Sequence, residues 1–207
     1  MNATKIKLST TELDLVTNAT FILTKNSIMG KIVEAFSFAA LGFKDSITNT
    51  QFPSEVLLSV PKIAKGENYL GLPWVILDYP RVFNKQDTFA IRTFFWWGNF
   101  VSITLQLSGK YQTAYQQELL DNLVVMPNNN WQLCCNNNAW HHHFKTTNYQ
   151  PFSSFSNQAL QSLPFVKVAK KIPLQEWDNI EVFLQSSFLE LLQLIKNASF
   201  PNDETTL

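Results

Sequence analysis

The chain has 207 residues, zero formal net charge and two cysteines, with 14% aromatic and 15% charged residues. Its sixteen basic residues are scattered rather than gathered into a stripe, which sets aside nucleic acid as a partner. A charged share below the usual quarter leaves apolar burial as the main source of stability.

The opening stretch "MNATKIKLSTTELDL" has no continuous apolar run and no small-residue cleavage pattern, so a secretory leader is not expected and a cytoplasmic protein is. Ser9 and Glu12 form a capping-box pattern, with Leu8 and Leu13 as a hydrophobic staple, and a helix is predicted from Thr10. After a break near Asn26 and Ser27, a second helical run carries Ile28, Ile32, Ala35 and Ala39, and Gly42 is placed to end it. Prolines and glycines punctuate residues 44 to 73 too often for a long element, leaving loops and a short helix or strand at 54 to 60.

"WVILDY", 74 to 79, reads as a strand held between Pro73 and Pro80. The next segment, 88 to 109, is apolar enough to suggest a membrane span. Arg92, Asn99 and Gln106 interrupt it, however, and its second half alternates strictly, so a hairpin is predicted and no membrane span. A two-residue turn at Gly98 and Asn99 would set Trp96 opposite Val101, Phe94 opposite Ile103 and Arg92 opposite Leu105. Arg92 would then point into the apolar face, leaving Phe89, Ile91, Phe95, Trp97 and Phe100 on the other.

Ser108 is placed to cap a helix over 109 to 123, and strands are predicted at "WQLCC" and "AWHHHF". A short helix follows at 157 to 163 and a strand at 165 to 172, where Lys167, Lys170 and Lys171 read as a solvated edge. Trp177, Ile180, Leu184, Phe188, Leu191 and Ile195 recur at helical spacing and predict a long C-terminal helix. Together these elements give one α+β domain over 1 to 197, a mainly antiparallel sheet under N- and C-terminal helices, with a flexible tail at 198 to 207.

The candidate chemistry centres on "CCNNNAWHHHF", 134 to 144. Alternate residues of a strand share a face, so His141 and His143 would point together and could grip a metal ion, with zinc the natural choice. A third ligand would come from Cys135 or Cys134 on a partner strand, or from Asp78. A Cys–His nucleophile is a second option, although buried cysteine acting as a small hydrophobe is the commoner situation. Asp78 and Arg92, both in apolar strands, need partners. They either satisfy each other as a structural ion pair, the favoured reading, or hold a ligand.

No phosphate loop, dinucleotide fingerprint or nucleophile elbow is present. The leading expectation is a non-enzymatic binding or interaction domain. It would use Phe95, Trp97 and Phe100, with Arg92 and Asp78, to meet a small molecule, a protein or a second copy of the chain, and would need no cofactor. The alternative is a metal-dependent hydrolase built on His141 and His143.

Overall fold

A computed structural model describes residues 6–123 and 130–196; the tail expected at 198 to 207 lies outside them. The capping box forms as the sequence predicts. Glu12 Oε2 accepts from the Ser9 amide at 2.7 Å, Ser9 Oγ accepts from the Glu12 amide at 3.3 Å, and α1 runs Thr10–Thr17.

The break comes earlier than expected. Asn18 leaves the helical region (φ −89°, ψ 86°) and its side chain accepts from the Phe21 amide at 3.1 Å, so a new helix starts at once. This is α2, Ala19–Ile47, unbroken through Asn26 and Ser27. Gly42 does not end it; it lies against Gln185 of the C-terminal helix.

The sheet is antiparallel, seven strands in the order β1-β2-β3-β4-β7-β5-β6. The strands are β1 (Lys62–Tyr69), β2 (Leu72–Phe83), β3 (Thr88–Trp96), β4 (Phe100–Ser108), β5 (Gln132–Cys134), β6 (Tyr149–Pro151) and β7 (Val166–Pro173). Helices α3 (Ser54–Leu57), α4 (Lys110–Leu123) and α5 (Asn157–Gln161) sit in the connections. The long α6 (Ile180–Leu194) follows a 3-10 turn. Asp87, rather than Ser108, receives the Lys110 amide at the start of α4, at 2.8 Å.

Strand β1 was not foreseen in the punctuated stretch 44 to 73. β2 continues past Pro80, which occupies an irregular step where the pairing shifts between Asp78 and Arg81. "AWHHHF" is not a strand. The partner of β5 is β6, from the next part of the chain.

The hairpin differs from its prediction by one residue. Trp97, Gly98 and Asn99 form a three-residue loop with Gly98 at φ +69°, and Trp96 pairs with Phe100, Phe94 with Ser102 and Arg92 with Thr104. A one-residue slip exchanges the two faces of a strand pair. Phe89, Ile91 and Phe95 therefore join Val101, Ile103, Leu105 and Leu107 in the apolar core, while Arg92 turns to the opposite, polar face.

The inner face is the larger core. Val75, Leu77, Ile91, Phe95, Ile103 and Val168 pack under α2 and α6, whose Phe43 and Phe188 rings stack with centroids 3.9 Å apart. No described helix is long and apolar enough to cross a membrane.

Candidate functional site

The outer face carries most of the polar residues of the central strands. Register places Asp78, Arg92, Thr104 and Ala169 in one row across four strands, with Gln106 and Lys167 in the next. Asp78, Arg92, Thr104, Gln106 and Lys167 are all buried. Lys167 is a correction to the sequence reading. Its side chain is sealed off rather than solvated, Lys170 reaches Glu190 at 3.2 Å, and only Lys171 of the three is exposed.

Asp78 and Arg92 satisfy each other. Arg92 Nε donates to Asp78 Oδ1 at 2.6 Å and Nη2 to Oδ2 at 2.8 Å, the parallel fork that suits guanidinium and carboxylate. The guanidinium also lies 5.4 Å from the Trp140 ring centre and 5.9 Å from that of Phe83. Arg92 Nη1 stands 3.3 Å from His142 Nε2. Arginine has only donors, so His142 accepts through Nε2 and carries its proton on Nδ1.

Residues 135–148 roof this face. Lys167 Nζ donates to the carbonyls of Ala139 at 2.8 Å and His141 at 2.5 Å. The buried Asn148 amide donates to the carbonyls of His141 at 3.2 Å and His143 at 2.6 Å. Tyr69, at the end of β1, accepts at its hydroxyl from the amides of His142 at 2.6 Å and His143 at 3.2 Å. The roof has no strand partner, so side chains of β1 and β7 and its own Asn148 satisfy its backbone.

Apolar contacts complete the seal. Phe144 stacks on Tyr149 at 4.6 Å and meets Phe100 edge-on at 5.1 Å, while Lys171 lies 5.0 Å from the Phe144 ring centre. His142 enters between Phe94, at 4.9 Å, and Tyr69, at 5.6 Å.

The expected histidine geometry survives without the strand. His141 and His143 lie on one side with ring centres 5.4 Å apart, both Nδ1 atoms are buried without a hydrogen-bond partner, and His142 points away into the sheet. Asn138 fixes the His141 tautomer. Its carbonyl oxygen accepts from the Trp140 amide at 2.9 Å, which turns its NH2 to His141 Nε2 at 3.2 Å. Neutral His141 therefore carries its proton on Nδ1. A metal at that atom would move the proton to Nε2, against the asparagine donor.

Cys135 stands apart from the pair, its thiol directed at the Thr146 carbonyl at 3.6 Å. Among the described residues no three His, Cys, Asp or Glu side chains gather to hold a metal. Cys134 is buried against the Asn136 carbonyl and the Asn148 side chain, and burial pushes its thiol up, the opposite of what a nucleophilic thiolate needs.

Phe95, Trp97 and Phe100 do not form one surface. Phe95 is core under the helices, Trp97 packs at the core's edge, and Phe100 lies on the outer face under the roof. Tyr69, His142, Asn148 and Lys167, which organise the site, were missed as such. The available signal was the alternation in "FVKVAKKI", which puts Lys167 and Ala169 on the face opposite Val166 and Val168. Comparison with protein-family models, curated proteins and solved structures finds no match to this chain.

Two basic groups are strongly perturbed. Burial drives His142 well below its usual range, with the charges of Lys167 and Arg92 adding to the effect. Burial likewise lowers Lys167 from 10.5 to about 7, assisted by Arg92 and opposed by Cys134. Below pH 7 the folded and unfolded chains both protonate Lys167, and the cost of its burial is felt in full. Between pH 7 and 10.5 only the unfolded chain holds that proton, so this residue's contribution to stability rises with pH.

Cys134 and Tyr149, whose protons burial retains, oppose that trend at alkaline pH, and a comparison with Lys167→Met removes their effect. Urea unfolding of both proteins at pH 7 and 9 is expected to show the wild type gaining about 2 kcal/mol on the variant over that interval. A stability difference independent of pH would contradict the assignment.

Proposed function

We propose that this chain is a non-enzymatic, cytoplasmic interaction domain that docks through its helical layer. The reading is supported first by what the outer face does with its polar groups. Asp78, Arg92, Lys167, Asn148 and Tyr69 spend their hydrogen bonds on one another and on the roof.

The observation that carries the proposal is the state of the N-terminal helices. α1 contributes no buried residue, and in α2 the buried positions begin only at Met29. Yet this stretch presents Leu13, Val16, Phe21, Ile22 and Leu23 to solvent. Three consecutive apolar residues at about 100° intervals cover more than half of a helix circumference. A helix apolar on so many sides belongs inside an assembly.

The test is a Val16→Glu/Leu23→Glu variant. Both sites are exposed, so its melting temperature should match the wild type within a few degrees. In native cell extract, the tagged wild type is expected to run as a complex larger than the monomer, and the variant at monomer size. A wild type already at monomer size, or a variant unchanged in the complex, would count against the reading.

A metal-dependent hydrolase is the second reading, favoured by the 5.4 Å spacing of the His141 and His143 rings and weakened by the missing third donor. Protein loaded with zinc and dialysed is expected to retain none. Stoichiometric zinc that disappears in His141→Ala/His143→Ala would restore the hydrolase.

A further inference from the structure

α2 carries two apolar stripes. One faces the sheet through Met29, Ile32, Phe36, Ala39 and Phe43. The other consists of Phe21, Ile28, Ala35 and Phe38, spaced seven, seven and three residues apart. That spacing keeps them on one flank with the slow drift, about 20° per heptad, that suits a coiled-coil seam. Phe38 is 61% exposed and Phe21 51%.

α6 occupies this flank farther along the helix, where Gly42 lies against Gln185, and the flank before it is uncovered. Where α6 begins, the flank opens into a groove of about 560 Å³ with an apolar floor that includes Ala35, Phe38, Leu41 and Trp177 and a charged rim of Lys31, Glu34, Asp178 and Glu181.

We propose that this flank is a two-fold homodimer seam in which the α2 helices of two copies pack antiparallel, each Phe21 seating in the other's groove beside Phe38. This deepens the reading of the helical layer as a docking surface by naming its partner. Heptad spacing selects a helix as the occupant. The chain supplies a helix that fits itself: with Phe21 opposite Phe38, Thr24 falls opposite Ala35 and Ile28 opposite Lys31. All the seam positions then interleave in one antiparallel register.

The ends also match. α2 begins at Ala19, directly after the Asn18 break, so in this register the incoming helix stops short of the place where α6 closes the flank. Lys31 is the one charged residue at the seam positions, and its aliphatic stem can lie along Ile28 with the ammonium at the rim. At roughly 100 Å² for each half-exposed side chain, Phe21, Ile28, Phe38, Leu41 and Trp177 offer on the order of 500 Å² per copy. The stem of Lys31 adds to this, giving a small interface beside the ~800 Å² per partner of a standard one, in keeping with a concentration-dependent dimer. The contact is isologous, so it closes at two copies.

The register makes a specific demand. Analytical ultracentrifugation of the purified full chain is expected to show a monomer–dimer equilibrium, with Phe21→Glu and Phe38→Lys each weakening it at least a hundredfold. When the two variants are mixed, Glu at 21 of one copy meets Lys at 38 of the other while the second end of the seam stays wild type. The mixture should therefore recover dimer that neither variant forms alone. Circular dichroism and melting of both variants, at exposed sites, should match the wild type.

A wild type that stays monomeric at all concentrations would overturn the dimer, as would variants that dimerise normally or a mixture that fails to associate. The extract experiment separates this from the broader reading. A monomeric purified protein that still loses its complex in extract on Val16→Glu/Leu23→Glu leaves the docking surface standing with a different partner.

Discussion

The buried pair of Asp78 and Arg92 sets the terms for one whole side of this protein. Their two hydrogen bonds, 2.6 and 2.8 Å long, satisfy one edge of the guanidinium, and a charge pair under a sheet still has polar valences that water would otherwise fill. His142 and the rings of Trp140 and Phe83 take that place. A second cationic side chain, Lys167, sits in the neighbouring row with no carboxylate of its own and turns to two backbone carbonyls. The roof over 135–148 is thus shaped by the charges beneath it. Its Asn138, Trp140, His142 and Asn148 each have a structural task there.

The two faces of the sheet are closed by different means. The inner face is covered by helices and relies on apolar contact, with the stacked Phe43 and Phe188 at its centre. The outer face is covered by irregular chain, which has backbone groups to satisfy, and the sheet supplies an acceptor from Tyr69 and donors from Lys167, with Asn148 of the covering segment adding its own. Both faces of the sheet are covered from within the chain, and the N-terminal part of α2 runs on past the start of α6 with Phe21, Ile22 and Leu23 exposed.

Much of the fold was legible in the sequence because local rules and tertiary packing agree there. The Ser9–Glu12 box, the strand at 165 to 172 and the long C-terminal helix all follow from capping and periodicity. The hairpin was legible as a hairpin but not in its register. Gly98 and Asn99 serve equally in a two-residue or a three-residue loop, and a single residue decides which face receives Arg92. β1 escaped because Lys62, Lys65 and Glu67 on an edge strand resemble loop composition. The pairing of Asp78 with Arg92 could be anticipated from charge in apolar strands. The roof could not, because Tyr69 and Lys167 bond to it from distant parts of the sequence, and no local pattern encodes those contacts.

The central claim is that "CCNNNAWHHHF" and the residues following it are a fixed structural roof. Amide hydrogen exchange at His142 and His143 tests it most directly, since both N–H groups are in irregular chain but bonded to the Tyr69 hydroxyl. If the roof is an integral part of the fold, these two amides exchange as slowly as those of β3 and slow down together with them under stabilising conditions. Exchange at the rate of an open loop, unchanged in Tyr69→Phe, would mean that the segment moves freely over the sheet and that the buried charges are held without it.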